Sequence, residues 1–223
     1  MIRLLLITLL TLMSLASECQ GQGVFVNLTP YGQDINCTSV NAGEGGPGYS
    51  FMANTCIDWN GGMGLKVSVF GLIATFQYYE DGNVHCTGEP TTSVAYKHGQ
   101  CSLFNDSSLI QLPGQQQQQM GYVVMALDDT TNPKPPFNQN GLLITQYQPT
   151  DTLCAQPYLS YIYLANNTVL SSAPYTYTFY CSGEDSQPYE THCDQTTGDC
   201  TTKSLAQSCQ ATSSSTGYAT QTC

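Results

Sequence analysis

The sequence predicts an all-β protein, an antiparallel β-sandwich or barrel followed by a disulfide-rich C-terminal tail. Three observations support this fold class. After residue 22, runs rich in Val, Ile, Thr, Tyr and Phe recur along the chain, and several alternate between apolar and polar positions. Clusters of Gly, Pro, Asn and Asp separate these runs, as turns between strands require. Beyond the N-terminal segment, only one short helical turn is expected, near residues 203–208.

The predicted strands are short segments of β-branched and aromatic residues bounded by turn residues. They cover residues 24–28, 65–70, 73–79, 122–127, 142–147, 158–164 and 175–180. A chain of about 200 residues can bury a sizeable core without cross-links. Disulfides would therefore mainly add resistance to unfolding and proteolysis.

The N-terminal segment has the pattern of a secretory signal peptide. Arg3 precedes an apolar run over residues 4–13, which is too short to anchor the chain in a bilayer. Small residues allow cleavage after Ala16 or after Gly21. No second apolar stretch approaches membrane length, so the mature protein is predicted to be secreted, extracellular and without membrane insertion.

Three parts are predicted: a signal peptide at 1–21, a β-sandwich-like domain at 22–180 and a cysteine-rich tail at 181–223. A unit consisting of a tyrosine, a polar turn and a cysteine recurs, with its cysteines at Cys37, Cys86 and Cys154. This repeat indicates either duplicated β-units or a chance similarity. If the domain has two related halves, the glutamine-rich insert at 113–119 separates them.

The chain contains 11 cysteines, none of them spaced C-x-x-C. Cleavage after Gly21 removes Cys19 and leaves an even number, which suits five disulfides in an oxidising compartment. Cleavage after Ala16 leaves one extra thiol, and self-association through it becomes an alternative. The spacing favours disulfides over a metal site, and no metal is predicted.

The disulfide candidates are the cysteines of the mature chain, and sequential pairs Cys37–Cys56 and Cys86–Cys101 are expected. The full set comprises Cys37, Cys56, Cys86, Cys101, Cys154, Cys181, Cys193, Cys200, Cys209 and Cys223.

Four sequons predict N-glycosylation at surface loops, which makes the protein a glycoprotein in this interpretation. Their asparagines are Asn27, Asn36, Asn105 and Asn166. Pro30 directly follows the first sequon and makes Asn27 the poorest acceptor.

The chain is strongly acidic, with 5 Lys and Arg against 16 Asp and Glu and a formal net charge of −11. Nucleic-acid binding requires clustered cations, so this class of partner is excluded. The acidic surface favours solubility, and the expected partner is an extracellular protein or glycan.

No catalytic set is predicted, and no cofactor is implied. The only three histidines lie at or near cysteines, and no G-x-S-x-G motif is present. Acidic pairs at strand ends, at 80–81, 128–129 and 184–185, leave a secreted acid hydrolase as a third alternative. That alternative would use residues such as Asp128 and Glu184.

Two features indicate binding. Asp58, Trp59 and Asn60 form a polar turn that would suit a sugar if the tryptophan is exposed, while a buried core tryptophan is the alternative interpretation. Tyr161 with Tyr163, and Tyr175 with Tyr177, share strand faces. Such tyrosines either build an adhesive surface or line the rim of the core.

The tyrosine-turn-cysteine units, together with residues 98–101 that close a loop from Cys86, resemble small cysteine-rich secreted proteins of amoebae. The resemblance covers most of the mature chain and implies an extracellular location without an activity. The predicted function is a secreted, non-enzymatic structural or interaction glycoprotein, such as a matrix, coat or adhesion component. A carbohydrate-binding module is the alternative.

Overall fold

The computed structural model describes residues 24–32, 34–38, 47–59, 62–104, 121–128, 141–155, 159–183, 186–211 and 217–223. The predicted signal peptide at 1–21 and the insert at 113–119 lie outside these residues. Within the described ranges the chain forms strands and no helix, so no helix there could cross a membrane. All strand pairs in the sheets are antiparallel, which confirms the predicted all-β class.

The described residues contain sixteen strands, which we number in chain order. They are β1 (Phe25–Pro30), β2 (Gly48–Met52), β3 (Cys56–Trp59), β4 (Met63–Phe70), β5 (Ile73–Asp81), β6 (Thr92–Lys97), β7 (Cys101–Phe104), β8 (Gly121–Asp128), β9 (Gly141–Tyr147), β10 (Ser160–Ala165), β11 (Thr168–Ser172), β12 (Tyr175–Cys181), β13 (Pro188–Asp194), β14 (Cys200–Ser204), β15 (Gln210–Ala211) and β16 (Tyr218–Thr222).

These strands form three sheets. The large sheet has eight strands in the order β15-β16-β9-β10-β2-β1-β8-β7. A second sheet has the order β3-β4-β5-β6, and a third has the order β11-β12-β13-β14. The second and third sheets are built mostly from sequential hairpins, whereas the large sheet joins strands that are far apart in the sequence.

One hydrophobic core contains residues from all three sheets. Val26 and Phe51 come from the large sheet, Trp59 and Phe76 from the second, and Phe179 from the third. The ring of Phe51 meets Trp59 edge to face at 5.2 Å and Phe76 at 5.5 Å. Aromatic pairs in this geometry add to the free energy gained by burying apolar surface. The second sheet therefore packs against the large sheet through aromatic contacts, and the third sheet contributes Phe179 to the same core.

The central strands of the large sheet are buried on both faces. On the face away from the main core, Ser50 lies opposite Asn27 on one side and Tyr161 on the other. Tyr161 and Tyr163 pack in a second, smaller apolar cluster with Ala165. The adhesive-surface interpretation is therefore wrong for Tyr161 and Tyr163, because both side chains are buried.

The cysteines form five disulfides, but the expected sequential pairing is wrong. The observed pairs are Cys37–Cys101, Cys56–Cys86, Cys154–Cys209, Cys181–Cys223 and Cys193–Cys200. Pairing follows the spatial order of the strands, which differs from their sequence order. Cys101 and Cys56 begin β7 and β3, and Cys209 directly precedes β15; each of these three strands is the edge of its sheet.

The three recurring cysteine units form the same turn. In each, the N–H of the cysteine donates a hydrogen bond to the carbonyl oxygen three residues earlier, on Asp34, Asn83 or Asp151, at 3.1–3.3 Å. Cys37, Cys86 and Cys154 all have positive φ, between 51° and 52°. The side chain of the Asp or Asn accepts backbone N–H bonds within each turn, as Asx residues do in turns. Each unit thus fastens a capped turn to an edge strand.

The C-terminal residues take part in the sheets. Residue 180, where the β domain was predicted to end, lies within β12, and β13 and β14 extend the third sheet from there. Strand β16 pairs with β9 in the large sheet, and Leu205 is buried in the main core. Two disulfides, Cys154–Cys209 and Cys181–Cys223, join this segment to the turn after β9 and to the end of β12.

Candidate functional site

A pocket of about 310 Å³ lies where the second sheet approaches the edge of the large sheet. One wall comes from the start of β3 and from the turn that ends at Cys86, and the other from the end of β9 and the start of β16. Its lining residues are Thr55, Cys56, Ile57, Asp58, Val84, His85, Gln146, Tyr147, Gln148, Pro149, Leu159, Gly217 and Tyr218.

The Cys56–Cys86 disulfide and an unusually close backbone approach hold the first wall in place. The disulfide joins the start of β3 to the turn, and Asn83 caps that turn by accepting the N–H of Thr87 at 3.1 Å. A Cβ built on Gly64 would lie 2.3 Å from the carbonyl oxygen of Asn83. Only glycine fits at position 64, and it lets the turn carrying Val84 and His85 lie directly on β4.

The opposite wall is formed by a pair of neighbouring strands and a second capped turn. Tyr147 of β9 lies directly opposite Tyr218 of β16. A Cβ built on Gly217 would lie 2.8 Å from the carbonyl oxygen of Tyr147, so the two strands approach closely there. Gln148 and Pro149 follow, and the carbonyl oxygen of Gln148 accepts the N–H of Asp151 at 2.9 Å. Each wall is therefore supported by one copy of the recurring turn, the first by the turn that ends at Cys86 and the second by the turn that ends at Cys154.

Asp58 is the acidic group of the pocket. Its Oδ1 atom is buried and has no hydrogen-bond partner among the described residues. Burial raises the pKa of the Asp58 carboxyl, and a hydrogen bond from the backbone of Gly62 opposes this effect. A buried acceptor without a donor is costly, so Asp58 is suited to receive a donor from a bound molecule.

The remaining lining combines polar groups with apolar surface. Gln146, Gln148 and His85 offer hydrogen-bonding side chains, whereas Ile57 and Leu159 offer apolar ones. The part of the lining that the structure describes contains neither lysine nor arginine. This combination can bind a small polar molecule through hydrogen bonds and apolar contacts.

The structure separates the three residues of the predicted binding turn. Asp58 lines the pocket, but Trp59 is 0% exposed and packs in the core against Phe51. Successive side chains of a strand point to opposite faces, which places Asp58 outward and Trp59 inward. The prediction of a sugar stacked on Trp59 is therefore wrong, and the alternative of a core tryptophan beside a disulfide agrees with this burial. Asn60 lies outside the described residues.

The predicted glycosylation sites differ in accessibility. Asn36 and Asn166 are exposed in turns, as a glycan requires. Asn27 is only 5% exposed, in the middle of β1, and its Oδ1 accepts the hydroxyl of Tyr161 at 3.5 Å. The expectation of a surface loop at Asn27 is therefore wrong. Asn105 lies outside the described residues.

The histidines and strand-end acids are dispersed. Nδ1 of His98 accepts the N–H of Leu127 at 3.1 Å, and His192 stacks on Tyr177 with ring centroids 4.7 Å apart. Glu80 and Asp128 belong to different sheets. Residues 129, 184 and 185 lie outside the described residues. No group of three or more His, Cys, Asp or Glu side chains in the described ranges is placed to hold a metal ion.

An exposed apolar hairpin tip was missed by the sequence reasoning. Phe70 is 89% exposed where β4 turns into β5, and Leu72 and Ile73 beside it are also exposed. The signal was present in the sequence, because residues 69–73 are apolar on both sides of Gly71, where a hairpin turn usually carries polar residues.

Comparison with known proteins places the chain in a family. No curated protein and no solved structure is significantly similar to this chain. A family model described as counting factor-associated protein A/B/C matches residues 1–222. The five disulfides and this match fit a secreted protein. Because the match spans nearly the whole sequence, the chain belongs to the counting factor-associated protein A/B/C family.

Proposed function

We propose that the protein is a secreted, N-glycosylated, non-enzymatic interaction protein, a component of an extracellular assembly such as a matrix, a coat or a secreted complex. The family's name describes proteins associated with counting factor. We therefore propose counting factor as the partner of this chain as well. The dispersal of Glu80 and Asp128 over different sheets supports a non-enzymatic role.

The observation that carries this proposal is the apolar tip of the β4–β5 hairpin, formed by Phe70, Leu72 and Ile73. Phe70 lies directly opposite Ile73, so the connecting loop has only two residues, and Gly71 supplies a positive φ of 58°. The backbone N–H of His98 donates to the carbonyl oxygen of Leu72 at 2.8 Å and holds the tip in place. The apolar side chains are thus presented on a well-ordered support.

A tip of this kind is suited to protein contact. Exposed apolar surface is unfavourable in water, and burying it against a partner recovers free energy in proportion to the area. Phe is enriched at interfaces because one large ring can fill a pocket on the partner. The preformed hairpin limits the conformational entropy lost on binding. We therefore place the partner's contact at Phe70, with Leu72 and Ile73 beside it.

The test is equilibrium binding of the purified chain to purified counting factor. Phe70→Ser is expected to weaken binding at least about ten-fold, as for an interface hot spot. Leu153→Ser is the matched control, because Leu153 is also exposed, at 80%, but lies far from the tip in sequence and belongs to another turn. Equal loss in both variants, or no loss in Phe70→Ser, would overturn the assignment of the tip.

A further inference from the structure

We propose that the pocket beside Asp58 is a binding site for a neutral mono- or disaccharide, in which the Asp58 carboxyl accepts a hydrogen bond from a sugar hydroxyl. This site is separate from the hairpin tip and does not depend on counting factor. Asp58 thus contacts the sugar, whereas Trp59 remains in the core.

Asp58 carries an unsatisfied carboxyl oxygen. Buried polar atoms in folded proteins are almost always hydrogen-bonded, and Oδ1 of Asp58 is buried without a partner among the described residues. The residue lines an open pocket, where a bound molecule can bring the missing donor. A group that is unfavourable for folding yet placed in a pocket is typical of a binding site.

Hydrogen-bond donors and acceptors are mixed around Asp58. Gln148 and His85 line the same pocket, and Oε1 of Gln146 accepts the hydroxyl of Ser160, which directs its amide group. Sugar hydroxyls both donate and accept, so they match amide and imidazole groups as well as a carboxyl. An amine ligand has only donors and would leave the side-chain donors of Gln146 and Gln148 unmatched.

The charge of the pocket lining excludes anionic ligands. Among the described lining residues there is no lysine or arginine, and the whole chain carries a formal net charge of −11. An anionic sugar or a phosphate would meet the Asp58 carboxyl without a compensating cation. The site therefore favours an uncharged ligand.

The size and the surface of the pocket also suit a sugar. The volume of about 310 Å³ is at the lower end of the range for small-molecule pockets, which suits one or two sugar rings. Tyr147 and Tyr218 face each other on adjacent strands, and both line the pocket. Tyrosine side chains combine apolar area with a hydroxyl, as the apolar and polar faces of a sugar require.

The experiment is an array of immobilised neutral mono- and disaccharides, with spermidine as a cationic probe, incubated with the full-length secreted chain. We expect retention on a subset of the sugars and none on spermidine. Asp58→Asn should weaken sugar binding at least about ten-fold, because one acceptor oxygen becomes a donor. Gln148→Ala, at an exposed position, should weaken it several-fold.

Glu80→Gln is the matched control, since it removes the same charge from an exposed acid outside the pocket lining. It should bind sugar like the unmodified chain. The proposal is overturned if the folded chain retains no sugar, if spermidine is retained instead, or if a folded Asp58→Asn variant binds sugar normally. If Asp58→Asn does not fold, Gln148→Ala alone decides the assignment. Phe70→Ser should bind sugar normally, which distinguishes failure here from failure at the hairpin tip.

Discussion

Asp58 and Trp59 are neighbours in β3, but Trp59 packs in the core while Asp58 lines a pocket with a carboxyl oxygen that has no hydrogen-bond partner among the described residues. Strand β3 thus connects the buried aromatic core to the candidate binding pocket. The Asp58 carboxyl is unfavourable for folding but is the group that binds the ligand. Replacing it with a neutral side chain of the same shape is therefore expected to raise stability and weaken binding.

Asp58→Asn is expected to raise the free energy of unfolding near neutral pH. The folded-state pKa of Asp58 is raised above its usual value of 3.8 by burial. Between these two pKa values the folded state binds more protons than the unfolded state, so the wild type loses stability as pH rises through that window. The variant lacks this group and should not show that loss.

Urea unfolding of both proteins as a function of pH measures this difference. The advantage of Asp58→Asn should be full above the folded-state pKa of Asp58 and should disappear below 3.8. A variant that is less stable than the wild type at neutral pH would show that the hydrogen bond from Gly62 to the carboxylate outweighs the cost of its burial.

Glycans are expected at Asn36 and Asn166 but not at Asn27. The side chains of Asn36 and Asn166 are exposed in turns. Asn27 is buried beside Tyr161, on the face of the large sheet that lies away from the main core. A glycan at Asn27 would have to displace the packing on that face. Mass spectrometry after enzymatic deglycosylation reads each site as a deamidated asparagine, and a modified Asn27 in the folded, secreted protein would contradict the structure.

Asn83→Ala is expected to lower the free energy of unfolding by about 1–3 kcal/mol, because it removes several hydrogen bonds that close one capped turn. Oδ1 of Asn83 accepts the N–H and hydroxyl of Thr87, and Nδ2 donates to the carbonyl oxygen of Thr87 at 2.7 Å. Glu89→Ala, at an exposed position in the same loop, is the control and should be nearly neutral. Equal stability of the two variants would show that the disulfide alone holds the turn.

Removing different disulfides should have unequal effects. Cys37–Cys101 joins residues separated by 64 positions, and Cys193–Cys200 joins residues separated by only 7. Loop-closure entropy then predicts that the Cys37→Ser/Cys101→Ser variant is less stable than Cys193→Ser/Cys200→Ser by about 2 kcal/mol. Denaturant unfolding of both double variants provides the comparison, and a reversed order would show that native contacts around the bonds dominate.

The sequence predicted the long alternating strands well. Residues 65–70 and 73–79 fall within β4 and β5, where apolar side chains alternate towards the core. It did not predict β14, whose five residues are all exposed, because an edge strand that buries nothing has no apolar periodicity. Short strands such as β15 carry too few residues to show a pattern.

The candidate site was only partly predictable for similar reasons. Asp58 was identified from its polar surroundings, but the exposure of Trp59 depended on which face of β3 met the large sheet. The pocket itself requires β9 and β16 to lie beside the second sheet, and that arrangement follows from strand order. The disulfide pairs could not be predicted for the same reason. Cys37 bonds to Cys101 because β7 lies at the edge of the large sheet, and the sequence does not show that position.

The most direct test of the proposed function is sedimentation velocity of the secreted chain mixed with purified counting factor at physiological salt. The account predicts that the chain co-sediments with counting factor at micromolar concentrations, and that Phe70→Ser returns it to the slow boundary of the free protein. If the unmodified, folded chain still sediments alone at about 100 μM, above the range of most specific complexes, the proposed association is contradicted.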